Sequence, residues 1–174
     1  MIQTLVSPWD STFATLLDSV RESLVICSPY ISRRPCVQVA KHLQTRGRER
    51  VIVHVLTDLS RDNLMSGSTD IGGLVLLCSS LPNASVRFLP HLHAKVYLAD
   101  FCSAIVTSGN FTDGGLIRNR EYGLLLKDEA IVSEIRTDIM GYCSIGLIVP
   151  LERLRQLETV IAELAEMNAH LQRS

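Results

Sequence analysis

The sequence predicts an α/β fold: a layered α/β/α sandwich around a mixed, largely parallel sheet, followed by a C-terminal amphipathic helix. Three observations carry this. Short runs rich in Val, Ile and Leu alternate with stretches whose apolar residues recur at helical spacing, the pattern of strands joined by crossover helices. Two extended runs, His93 to Ala99 and Ser103 to Ser108, are separated only by Asp100-Phe101-Cys102, which suits a hairpin and brings antiparallel pairing into the sheet. The 174 residues, 47% of them hydrophobic, suffice for one core of ordinary size.

Each element follows from its residues. Ile2 to Val6 reads as a short strand. Pro8-Trp9-Asp10-Ser11 opens a helix with capping chemistry, continued by Phe13, Leu16, Leu17 and Val20. The apolar run Ser23 to Ser28 suits a buried strand, Pro29 to Ser32 turns the chain, and a helix covers Pro35 to Gln44. Arg50 to Leu56 is the clearest β-branched strand, followed by a polar loop and short helix from Thr57 to Ser66. Asp70 to Ser80 is helical and Ser85 to Leu89 extended. After the hairpin, Thr112 to Gly115 is a turn, Glu121 to Leu126 a strand, and Asp128 to Tyr142 a helix capped by Asp128.

Pro150 marks a boundary, giving a catalytic unit over 1–149 and a helical segment over 150–174. In that segment Leu154, Leu157, Ile161, Leu164, Asn168 and Leu171 fall at alternating three- and four-residue steps, a heptad seam with one polar position. Two readings stand: a terminal helix packed on its own domain, or a helix that supports a dimer or docks a partner.

Composition excludes several classes. A formal charge of −1 is incompatible with a globally basic nucleic-acid binder, so any such binding must use a local patch. The apolar content is high for a free-standing monomer and points to a covered partner surface. Five scattered cysteines, Cys27, Cys36, Cys78, Cys102 and Cys143, form no CxxC pair and read as free thiols in a reducing compartment. The longest uncharged stretch, Ile71 to Val86, has 16 residues with Gly, Ser, Asn and Pro, too short and polar to span a bilayer. No Lys or Arg precedes Arg21, so the start lacks a signal peptide's charged region. The expectation is a soluble, cytoplasmic protein.

The chemistry concentrates between His91 and Gly123. Residues two apart on a strand share a face, so His93 and Lys95 project together while Ala94, Val96 and Leu98 point to the core. Ser108 and Asn110 are likewise two apart, and Glu121 opens the next strand. If these strands are neighbours, one sheet edge presents an imidazole, a cation, a hydroxyl, an amide and a carboxylate, the groups needed to hold and attack a phosphodiester. His91-Leu92-His93 offers two metal ligands on one face as an alternative, but no Asp or Glu completes a standard set.

This stretch resembles the phospholipase D superfamily, whose signature is His-x-Lys-x4-Asp followed by Ser-x-Asn. Here the signature reads His93-Ala94-Lys95, Asp100 and Ser108-Gly109-Asn110, with Glu121 at the spacing of a further family carboxylate. Thr107 stands where the family often has Gly, and the opening through SLVICSPYIS is similar too. The resemblance implies metal-free chemistry without a cofactor. His93 would be the nucleophile, Lys95 and Asn110 would bind non-bridging oxygens, and Ser108 would add a hydrogen bond. Glu121 would accept from the second imidazole nitrogen, and Asp100 would be a structural hydrogen-bonder.

The mechanism the resemblance implies needs a second histidine as general acid. His42, His54 and His170 lack a lysine two residues on, and His54 reads as a core histidine. A homodimer that pools His93 from each subunit in one shared site is the simplest solution. Single-motif chains of this kind look like small endonucleases and the catalytic domains of restriction enzymes. Arg33, Arg34, Lys41, Arg46, Arg48 and Arg50 against Glu49 give Ile31 to Arg50 a charge of +5 and leave −6 elsewhere, enough to line a groove for DNA backbone. Arg118 and Arg120 would add contacts near the site; a solvated basic face is the plainer reading. Restraint of so unspecific a nuclease implies a targeting partner such as an ATP-driven DNA motor. A phospholipase or other phosphodiesterase, and a non-catalytic assembly module, are the alternatives.

Overall fold

A computed structural model describes the backbone of residues 1–171 and the side chains of residues 1–167. The chain runs β1 (Ile2–Val6), α1 (Asp10–Ser19), β2 (Ser23–Cys27), α2 (Arg33–Thr45), β3 (Ile52–Thr57), α3 (Arg61–Met65) and α4 (Ile71–Ser80). It continues through β4 (Ala84–Phe88), β5 (Val96–Ala99), β6 (Ser103–Thr107), a π-helical turn (Gly114–Arg118), β7 (Tyr122–Leu126), α5 (Glu129–Ile145), β8 (Leu147–Val149) and α6 (Leu151–Leu171).

The strands form one sheet of eight in the order β1-β7-β6-β5-β2-β3-β4-β8. It is mixed, but the expectation of a largely parallel sheet is corrected. Only β2–β3 and β3–β4 are parallel; the other five pairings are antiparallel. The reason is the length of the connections. A parallel return needs a crossover of a dozen or more residues, and only α2 and the α3–α4 stretch supply one between neighbours. The three residues after β5 permit only a hairpin, with Val96 opposite Val106 and Ala99 opposite Ser103.

Helices cover both sides. On one, α1, α2 and α4 bury Phe13, Leu16, Leu17, Val39, Leu43, Leu74 and Leu77 against Leu24, Ile26, Val53 and Tyr97. On the other, α5 lays Val132, Ile139 and Cys143 over Val25, Leu56, Leu98 and Ala104. Complete burial of β2 explains why its sequence is a continuous apolar run rather than an alternation.

Four further expectations change. Asp10 and Ser11 do not cap α1: Trp9 is the N-cap, and its indole, a donor only, cannot accept from the first-turn N–H groups and reaches across the fold instead. Thr112 to Gly115 is not a simple turn but leads into the π-helical turn. β8 went unpredicted, since three residues at an edge, with Leu147 and Ile148 exposed, carry no periodicity. The strand predicted from His93 begins at Val96, which leaves His93 and Lys95 in the irregular segment before it. In α6, Leu154 is buried and Leu157 and Ile161 pack on the same core as α4, whereas Leu164 is exposed. The side chains of Asn168 and Leu171 lie outside the described residues.

The far end of the β5–β6 hairpin is tied by Asp100. Its carboxylate accepts from the backbone N–H groups of Arg21 (2.8 Å), Glu22 (2.9 Å) and Ser23 (2.7 Å), and its own backbone is left-handed at φ 50°. Asp100→Ala strips three donors of their acceptor at the start of β2. It should cost roughly 2 kcal/mol in chemical unfolding, with the geometry at the other end of the sheet unchanged.

Candidate active site

One end of the sheet gathers the C-terminal ends of β2, β3 and β6 with the N-terminal ends of β5 and β7, because β5 and β7 run against their neighbours. All five candidate groups sit there. Asp100, at the opposite end of β5, is not among them. A cleft of about 720 Å³ beside Asp100 holds none of the five.

His93 is exposed on the segment leading into β5. That segment is pinned by buried Leu92, by Leu89 N–H on Thr57 O (3.0 Å), and by the His91 N–H on the carboxylate of buried Asp58 (3.3 Å). His91 has a left-handed backbone (φ 61°), which removes the strand alternation on which a His91–His93 metal pair depended. Among the described residues, no group of three or more His, Cys, Asp or Glu is placed to hold a metal ion.

Lys95 Nζ donates to His93 O (2.8 Å) and stands 3.2 Å and 3.3 Å from the two imidazole nitrogens. Burial lowers its pKa from the usual lysine value, and the charge of Glu121 opposes that shift. Beneath it, burial pushes the Cys27 thiol up to about 12, so this thiol stays neutral.

Ser108 to Asn110 form a loop over an aromatic floor. Trp9, Phe13, Tyr97 and Phe111 pack with ring centroids 5.3 Å (Trp9–Tyr97) to 6.1 Å (Trp9–Phe13) apart. Two polar tips rise from it: Tyr97 Oη donates to Gly109 O (2.9 Å) and Trp9 Nε1 donates to Gly115 O (2.7 Å). Gly115 approaches the Asn110 backbone so closely that any Cβ would collide with it, and a Cβ on Gly109 would lie 2.9 Å from Gly115 O. Thr107 ties the loop where a glycine could not: its hydroxyl donates to Tyr122 O (3.2 Å) and accepts from Gly109 N–H (3.2 Å). The loop after β2 is stitched on as well, with Ser28 Oγ accepting from Phe111 N–H (2.9 Å). Asn110 Oδ1 is buried without a hydrogen-bond partner.

Glu121 lies just before β7. In this chain it does not meet His93. Ser108 Oγ donates to Glu121 Oε2 (2.5 Å) and Asn119 Nδ2 donates to Glu121 Oε1 (3.0 Å). Ser7 Oγ, just after β1, accepts from the Glu121 N–H (2.9 Å) and so helps to place that residue. Trp9, Tyr97 and Asn119 were not singled out as site residues from sequence, and Thr107 only as a departure from the family pattern. Asn119, two residues before the carboxylate in a polar loop, was the one with a visible signal.

The basic residues do not form one surface. Arg33 and Arg34 open α2 at the site end, where Arg34 pairs with Asp113 (3.4 Å). Lys41 is about two turns further on. Arg46, Arg48 and Arg50 lie past the far end of α2, roughly 20 Å along its axis. There Arg46 and His42 pair with the Asp18 carboxylate and Arg48 donates to Asp18 O (3.0 Å). Arg118 and Arg120 are exposed beside Glu121. Of the eight basic residues predicted to bind nucleic acid, Arg33, Arg34, Arg118 and Arg120 share an end of the molecule with His93.

The α5 side of the sheet is not covered to its edge. Ile2, Val6, Val106, Tyr122 and Leu124, between 36% and 60% exposed, lie on one face through the pairings of β1, β7 and β6. This apolar strip runs up to Ser108 and Glu121. No helix among the described residues is long and apolar enough to cross a membrane.

The family model described as "Cardiolipin synthase, PLD-like domain" matches residues 13–141. No curated protein sequence matches the chain at a significant level. Among solved structures, NucT from Helicobacter pylori is 19% identical (TM-score 0.67) and is matched over 99% of its chain by 86% of this one. Nuc, a phospholipase D family member from Salmonella typhimurium, is 18% identical (TM-score 0.69), over 97% of its chain and 86% of this one. Phosphatidylserine synthase from Haemophilus influenzae Rd KW20 is 14% identical (TM-score 0.70), over 97% of this chain but 46% of its own.

Proposed function

The chain belongs to the phospholipase D-like domain family, and on that premise we propose that it is a metal-independent phosphodiesterase: a homodimeric DNA endonuclease acting through a phosphohistidine. The observation that carries this is the meeting of His93, Lys95, Ser108, Asn110 and Glu121, drawn from three separate segments, at one exposed end of the sheet. A lysine held against an imidazole, beside a serine hydroxyl bonded to a carboxylate, supports this reading.

In the proposed reaction a nitrogen of His93 attacks phosphorus and the bond to the leaving oxygen breaks. His93 of the partner subunit protonates that oxygen, then takes a proton from the water that cleaves the P–N bond. Lys95 and Asn110 bind the non-bridging oxygens, where charge grows in the transition state. Glu121 holds Ser108 and sustains the Lys95 charge. The bare apolar strip beside the site favours the dimer, because a second copy seated there would both cover it and bring the second imidazole near. Asp100 is given a structural role and the site no metal.

DNA as substrate draws support from Arg33, Arg34, Arg118 and Arg120 around the mouth, four cations that can meet a phosphate backbone without reading bases. The near end-to-end match to NucT and Nuc favours the same reading. Lipid phosphodiester transfer is the second reading, favoured by the phosphatidylserine synthase match, although this chain spans less than half of that protein. A targeting partner, such as an ATP-driven DNA motor, would find exposed apolar residues on α6 at Val160, Leu164 and Met167.

Incubation with plasmid and single-stranded DNA in excess EDTA tests the proposal, with phospholipid vesicles in parallel. Cleavage of either DNA that survives chelation is the expected result. Turnover confined to vesicles would establish the second reading, and no turnover of any diester would leave an assembly module.

A further inference from the structure

Glu121 is gripped at both oxygens, and one of the two grips is unaccounted for. The bond from Ser108 has a fixed direction: the Tyr122 N–H donates to Ser108 Oγ at 3.1 Å, so the hydroxyl proton is turned toward the carboxylate. The bond from Asn119 is anchored differently. Its backbone N–H donates to Gly114 O (2.8 Å) and closes the π-helical turn, while its side-chain amide reaches on to Glu121 Oε1 (3.0 Å). Two neutral donors on two oxygens suit an anion. A carboxylic acid would have to turn its own proton against one of them.

We infer that Asn119 is a positioning residue, whose amide fixes the orientation of the Glu121 carboxyl group between itself and Ser108. The surroundings agree. From the β5 side Glu121 faces Lys95, whose charge it supports against burial. From the turn after β1 comes uncharged Ser7, and from its own loop the exposed Arg118 and Arg120. The π-helical turn thereby gains a purpose: its last hydrogen bond places Asn119 two residues before the carboxylate it holds. The catalytic consequence rests on the phosphodiesterase reading; the hold on Glu121 does not.

The test therefore uses two readouts on wild-type protein, Asn119→Ala and Asn119→Asp: the Glu121 carboxyl-carbon resonance by NMR at one fixed pH, and hydrolysis of bis(p-nitrophenyl) phosphate. Asn119 is exposed, and both variants keep the backbone bond to Gly114. Asn119→Asp puts an acceptor where the Glu121 oxygen needs a donor, so the Glu121 resonance should leave its wild-type position. Asn119→Ala should displace it less. With each, kcat should fall about tenfold with KM little changed. A Glu121 resonance unmoved in both variants overturns the inference. If Glu121 shifts in a protein that hydrolyses no diester even as wild type, the positioning role stands and the phosphodiesterase reading falls.

Discussion

His93→Ala should lower phosphodiester cleavage by at least ~10³-fold while leaving the chain folded, because in the proposed covalent route the nucleophile has no substitute. His93 is exposed, and its recorded side-chain contacts are those with Lys95, so little stability is at stake. The sharper expectation concerns mixtures. If each dimer holds one site built from two His93 imidazoles, refolding equal amounts of wild-type and His93→Ala chains should leave about a quarter of the activity, since only the all-wild-type pair is competent. Self-contained sites would leave about half, and would place the general acid within the chain. His91→Ala is the companion measurement. His91 is bound through its backbone, so this variant should stay active if the acid comes from the partner.

Leu124→Asp should produce a folded monomer without cleavage activity. Leu124 sits on β7 between Thr4 of β1 and Val106 of β6, in the middle of the uncovered strip. It is 37% exposed in the single chain, so a carboxylate there stays wet until a second copy covers it. Burying it unpaired would then cost several kcal/mol, enough to dissociate a modest interface. Sedimentation velocity reads the change directly. Ile148→Asp, on the opposite edge of the sheet and 62% exposed, should remain dimeric and active. A Leu124→Asp protein that stays dimeric and cleaves normally would sink the shared-site reading.

The histidine and lysine were legible because a two-residue spacing along an extended segment places side chains together whether or not the segment pairs as a strand. That is why His93 and Lys95 meet although the strand begins only at Val96. Ser108 and Asn110 were legible for the same local reason, and Asp100 because a three-residue hairpin needs a residue tolerant of left-handed backbone. The mixed sheet followed from connection lengths, yet its parallel share was overestimated: strand–helix alternation says nothing about how β1, β7 and β8 join the edges. The basic segment misled for a related cause. A charge count along the chain ignores that α2 separates Arg33 from Arg46 by its whole length.

Residue spacing alone thus determined which candidate groups stand together and the layered architecture, since both rest on interactions within a few residues. Only the tertiary structure decided how those groups are held: Trp9 on Gly115, Ser7 on Glu121, Ser28 on Phe111, and Glu121 between Ser108 and Asn119 rather than on His93. Most of these bonds join residues about a hundred positions apart. Their partners are chosen by which strand ends the sheet brings together, and local sequence carries no record of that choice.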